Sequence, residues 1–357
     1  MDWLRGVATL LMIEAHTYDA WTLVGDRPGL PYRAAIALGG FAAPAFLFLA
    51  GVALALAAAS RLRRGVSPGD VARLARRRGW QIFGLAFLFR LQSLVVSGGR
   101  FPQALLKVDI LNILGLSMVL AGALWACGGS KGTRARWLGG VAAVMVLAAP
   151  AVRGAMWLDP LPDWLEMYVR SFPERTSFSL FPWPAFLLAG VIVGDWLADA
   201  TDSEAERRLV VRIGWVGGGL VSAGCAIAFV LAGEWDASST TAPHFFLVRL
   251  GILMVVVLAA RAWMSAWPTT WSPIREFGVA SLFVYWIHVE MAYGRPATAL
   301  DRSLTFTQAS WGYVGLCALL YALVRLKAAA WAAYRQRRRS SRPGHGGPGS
   351  TLADQPG

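Results

Sequence analysis

Ten stretches of this chain stay apolar for about as long as a helix needs to cross a bilayer, roughly 20 residues rising 1.5 Å each. They are 3–25, 36–59, 80–97, 103–126, 137–153, 180–199, 209–232, 245–266, 278–294 and 308–333. In hydrocarbon a segment has no water to satisfy its backbone N–H and C=O groups, so runs of this kind fold as helices that bond internally. The expected fold class is all-α: a polytopic membrane protein of about ten transmembrane helices. Composition agrees, with 56% hydrophobic and 15% charged residues over 357 positions, where soluble domains carry about 25% charged. The 17 Trp suit the membrane interfaces, where indole collects. No internal repeat is visible. No cleavable signal peptide is expected, because the first run has almost no basic flank and is interrupted by ionisable residues. Cys127, Cys225 and Cys317 are too far apart for a metal or disulfide pattern.

The net charge of +13 has a one-sided distribution. Of the 34 Lys and Arg, 23 fall on the even-numbered connections and the two termini, nine on the other connections, and Arg90 and Arg249 inside runs. Basic residues stay on the cytoplasmic side, so both termini are expected there, in a multi-pass protein of the cell (inner) membrane with lipid around it. The charge excess then reflects topology and does not point to nucleic acid. Residues 1–334 are expected to form one transmembrane domain, and 335–357 a disordered basic cytoplasmic tail rich in Gly, Pro and Ser. The segment 154–179 is open to two readings, a short interfacial helix covering a cavity or an ordered loop.

Ionisable groups at membrane depth cost about 2.5–3.5 kcal/mol each on insertion scales and usually face the protein interior. The first run holds Glu14, His16 and Asp19, the third Arg90, the fourth Asp109 and Asn112, and the ninth His288 and Glu290. Counted at about 1.5 Å per residue, they all fall in the outer half or near the midplane, which predicts one hydrated cavity lined by several helices. Arg249, near the outer end of its run, is expected to snorkel to the interface. No close ligand spacing supports a metal.

Helix 1 adds a geometric relation. Arg5 and His16 are separated by eleven residues, about 1100° or only ~20° out of register, so they share a face with Ala8, Thr9 and Met12. Asp19, three residues on, is placed to orient the imidazole, while Glu14 points about 200° away. Arg5 stands ~16 Å from His16 along the axis, at the basic end of that face.

The segment DWLRGVATLLMIEAH resembles the first helix of membrane acyltransferases of the acyltransferase-3 type, matching at Asp2, Arg5 and His16. SLFVYWIHVEM resembles their Tyr-x-x-His, at Tyr285 and His288. GGFAAPAFLFLAG and SLFPWPAFLLAGVIVGDWL are similar to segments of bacterial homologues of heparan-alpha-glucosaminide N-acetyltransferase. The resemblance implies an acyltransferase, O- or N-acetylating. It would carry an acetyl or other acyl group from cytoplasmic acyl-CoA to an acceptor at the outer side, with His16 as base. Given such a donor, extended pantetheine matches the ~16 Å between Arg5 and His16, so its arm is expected to run past Ala8, Thr9 and Met12, with its phosphates held by Arg5 and by Arg76, Arg77 or Arg78. The acceptor classes it leaves open are an envelope glycan, a lipid or a small molecule. The lysosomal enzyme differs here: it has Asn in place of His16 and its catalytic His in the next loop, whereas VGDRPGLPYR has none. The glucosaminide substrate is therefore not carried over. A histidine is suited to take the acceptor's proton, with Asp19 holding its tautomer and Arg90 or His288 facing the oxyanion. The competing reading is a proton-coupled transporter or exporter that uses His16, Glu14, Asp19, His288 and Glu290 as a relay.

Overall fold

The computed structural model describes residues 1–97, 103–170, 178–232, 240–267 and 271–340. Among these residues all regular structure is helical: α1 (Asp2–Trp21), α2 (Leu30–Gly39), α3 (Ala42–Arg63), α4 (Pro68–Ser97), α5 (Gln103–Leu106), α6 (Ile110–Cys127), α7 (Lys131–Arg153), α8 (Asp163–Val169), α9 (Pro184–Leu197), α10 (Ser203–Ala232), α11 (Pro243–Ala266), α12 (Pro273–Val279), α13 (Ser281–Tyr293) and α14 (Phe306–Ser340). Seven stretches are long and apolar enough to cross a membrane: α2 with α3, then α4, α6, α7, α10, α11 and α14. The chain is an all-α polytopic membrane protein.

Three of the ten expected spans fall outside that set, each for a physical reason. Helix α1 has the length, 20 residues, but carries Asp2, Arg5, Glu14 and Asp19, groups that only an interior position makes tolerable. Helix α9 has only 14 residues, and Ala185, Phe186, Leu187 and Leu188 in it have no exposed surface; it is a core element wrapped by longer helices. The ninth run is broken at Ala280 into the short α12 and α13. Two boundaries also move. The second run bends at Gly40 between α2 and α3, and the fourth begins as a separate turn, α5, before α6. Helix α14 continues past Tyr334 to Ser340; the remainder of the expected tail, 341–357, lies outside the described residues.

Lipid supplies little hydrophobic drive for helices to associate, so small residues that let backbones approach do much of the work. The α3–α9 pair shows it: a Cβ on Gly190 would lie 2.0 Å from the Phe48 carbonyl oxygen, and one on Gly51 would lie 2.1 Å from that of Leu187. Helix α1 is locked to α12 in the same way, at Gly6 and Gly278. At its other end the Leu304 N–H, just before α14, donates to the Trp21 carbonyl at 3.0 Å. Arg325, far down α14, pairs with Glu276 of α12. The N-terminus and the C-terminal half of α14 therefore share one end of the bundle, together with Arg61, Arg63 and Lys131. This is called the basic end below.

Candidate active site

His16 sits near the C-terminal end of α1 and His288 in the middle of α13. Their rings are nearly coplanar, with His16 Nδ1 2.8 Å from His288 Nε2. The second nitrogen of His288, Nδ1, is 3.0 Å from the Val284 carbonyl oxygen one turn back. A carbonyl only accepts, so in the neutral ring His288 Nδ1 carries the proton and Nε2 holds the lone pair. His16 Nδ1–H must then be the donor between the rings, which leaves the lone pair of His16 on Nε2. His288 is fully buried and His16 half-buried. One backbone carbonyl thus fixes two tautomers and leaves an unprotonated nitrogen at the more accessible ring.

Around this pair the structure brings together most of the expected polar residues. Tyr285, on α13, packs edge-on to His288 with centroids 5.8 Å apart and donates its hydroxyl to Asp109 Oδ1 at 2.7 Å. Arg90 of α4 donates Nη2 to Asp109 Oδ2 at 2.9 Å. Asp109 caps α6, and Asn112, three residues on, accepts from its backbone N–H at 2.9 Å, half of a capping box. The Asn112 amide donates to the Tyr168 hydroxyl on α8 at 3.2 Å. Helix α8 thereby covers the end of the bundle opposite the basic one, settling the reading of 154–170 as a covering helix; 171–177 lies outside the described residues. Arg170 anchors it through Glu166, Asp159 and the Ala155 carbonyl. Burial pushes the Tyr168 hydroxyl up to about 12, so it stays protonated.

Several sequence expectations are placed differently. Asp19 is not bonded to His16: its carboxylate accepts from Tyr293 at 2.8 Å and faces Arg27 at 3.8 Å. Tyr293 in turn packs edge-on against His16, so Asp19 acts at one remove. Arg90 gives Nη2 to Asp109 while its Nε–H has no partner among the described residues, and both nitrogens of His288 are engaged. Glu14 lies half-buried on the other side of α1, toward Tyr313 and Cys317 of α14. Glu290 is buried. At the basic end Arg5 pairs with Asp2 on its own helix. Arg76 is half-buried against Gly122, while Arg77 and Arg78 are exposed. Ala8, Thr9 and Met12 are buried in helix contacts, so the expected path for a pantetheine arm along that face is filled. Among the described residues one groove of about 450 Å³ lies between α4, α13 and α14, walled by Leu85, Phe283 and Trp286 with Lys327 at its edge. One aromatic layer separates it from the histidines: Trp286 packs on Phe89, and Phe89 on Tyr285. Tyr168, in the connection 154–179, and Tyr293, in an apolar run, escaped sequence reasoning; neither position gives a sign that its hydroxyl is engaged.

Fold and site define a helical membrane protein with a hydrogen-bonded histidine pair beside an Arg–Asp–Tyr cluster in its interior. The chain belongs to the family described as heparan-alpha-glucosaminide N-acetyltransferase, catalytic, whose model matches residues 1–217. Membership supports a membrane-embedded acetyltransferase in general. The match takes in His16, Arg90, Asp109 and Asn112 and stops short of Arg249, Tyr285 and His288. Comparison with curated proteins finds no significant match.

Proposed function

We propose that this protein moves an acetyl group from cytoplasmic acetyl-CoA to a hydroxyl or amine acceptor at the opposite face of the membrane, with His16 as general base. The observation that carries this reading is the tautomer chain from Val284 through His288 to His16, which presents Nε2 as a proton acceptor. As the acceptor oxygen or nitrogen attacks the thioester carbonyl, its proton passes to Nε2 and the sulfur leaves as CoA thiolate. The His16 imidazolium that forms keeps its Nδ1–H bond to His288, which holds the ring in place through the step. Asp109, clamped by Arg90 and Tyr285, fixes the α13 face that carries His288. Lys327 at the mouth of the α4–α13–α14 groove would meet a CoA phosphate, with the apolar walls taking the pantetheine arm. Purified protein given acetyl-CoA radiolabelled in the acetyl group is expected to release CoA only when an acceptor is supplied and to transfer the label to it. CoA release independent of any amine or hydroxyl would overturn the reading.

The orientation rests on the basic end. A reporter fused after Tyr334 is expected to be active only when the reporter works inside the cell. Activity of a periplasm-dependent reporter there would reverse donor and acceptor sides.

A further inference from the structure

Arg249 is partly exposed, as a snorkelling residue would be, but it is held in place. It lies on the second turn of α11, and its guanidinium is stacked between two phenyl rings, 4.6 Å from the centroid of Phe41 and 4.4 Å from that of Phe245. Nη1 is sealed from solvent without a hydrogen-bond partner, and among the described residues no carboxylate pairs with the group. Two other arginines that reach into the bundle are different: Arg90 has Asp109 and Arg134 has Asp195. Cation–π contact is worth about 0.5–2 kcal/mol, and it leaves the sealed Nη1–H of Arg249 without an acceptor. Such a residue calls for an anion that the chain itself does not supply.

The surroundings are shaped for that residue. A Cβ at Gly40 would stand 3.2 Å from both Nη1 and Nη2, so a side chain at the α2–α3 bend would press on the guanidinium. Next to it, Gly39 packs on Ala15, the neighbour of His16 in α1. Trp183 backs Phe245 at 6.2 Å. The segments 39–51 and 179–197, whose chemistry the histidine pair does not use, thus meet around Arg249, one helix contact from the base.

We propose that Arg249 is the docking point for an oxyanion group, a carboxylate, sulfate or phosphate, carried by the acceptor that His16 deprotonates. This rests on the acetyltransferase reading but is tested by binding alone. A guanidinium fork fits two oxygens of such a group, and the flanking rings hold its plane in place. An outer-leaflet lipid phosphate presents the same chemistry, so the test separates the two sources.

The full chain is purified in nonionic detergent free of phospholipid, and its thermal midpoint is followed with sodium sulfate, phosphate or glucuronate against chloride at equal ionic strength. The wild type is expected to show a saturable rise of about 2–4 °C once the oxyanion exceeds its Kd several-fold. Arg249→Lys keeps part of the response. Arg249→Met loses it while melting near the wild type in chloride, because among the described residues the guanidinium makes no hydrogen bond or ion pair that its removal would break. Arg249→Met melting well below wild type, with no anion response in the wild type, would make Arg249 a structural pin and end the proposal. A rise produced by added phosphatidylglycerol, dependent on Arg249 and abolishing the response to the salts, would assign the site to lipid and overturn the acceptor assignment.

Discussion

His16→Ala is expected to lower kcat/KM for acetyl transfer by about 10²–10⁴, the range for loss of a positioned general base, while the thermal midpoint stays near wild type. The ring is half-buried and makes a single hydrogen bond, so its removal leaves no orphaned partner except the His288 lone pair. His288→Ala is the sharper test of the geometry. His288 reaches the reacting groups only through His16, so its loss frees the His16 ring and tautomer. Residues that act as a unit are non-additive: the double variant should be no slower than His16→Ala alone. Additive losses would mean that His288 acts independently, and a near-normal His16→Ala enzyme would remove the base altogether. Asp19→Asn should cost only a few-fold, because Asp19 touches Tyr293 and not the imidazole.

The sequence made the helical class legible because bilayer thickness sets run length and hydrocarbon excludes other backbones. That His16, Arg90, Asp109 and His288 meet at one level was legible for the same reason: 1.5 Å per residue is a fixed rule. Partnership was not. Asp19 looked like the partner of His16 at three residues' separation, yet the true partner is 272 positions away on α13, and helical periodicity is silent about facing helices. Arg134 shows a second blind spot. Its place in a connection reads as a positive-inside anchor, but it is 6% exposed and turned into the bundle. Arg249 shows a third: nearness to a span's end suggests snorkelling, and only packing reveals the two rings that hold it. Glycine was the most under-read residue, since Gly6, Gly40, Gly190 and Gly278 each mark a close approach and nothing in their local sequence says so.

Arg134 and Asp195 carry the second large prediction. Arg134 Nε donates to Asp195 Oδ2 at 2.9 Å, with side chains 8% and 10% exposed, and the guanidinium lies 3.9 Å above the Trp125 ring. The pair joins α7 to α9, and through Trp125 to α6, at the basic end. Burying two charges costs several kcal/mol per ion, and their attraction offsets this only while both are present. Removing one leaves the other charged in a site built to exclude water. Arg134→Ala and Asp195→Ala are each expected to destabilise the protein by about 3–5 kcal/mol, seen as a large fall in the thermal midpoint in detergent. The double variant Arg134→Met/Asp195→Leu, which fills the space without charge, should recover most of that loss, because the two sites share one interaction and their effects do not add. If the pair served only the positive-inside bias, Asp195→Ala would leave the midpoint unchanged and the double variant would be no better than either single one. Recovery by the apolar pair would show instead that the ion pair contributes direction more than stability. It allows α7 to dock on α9 in one register, since only there does the guanidinium meet both the carboxylate and the indole face.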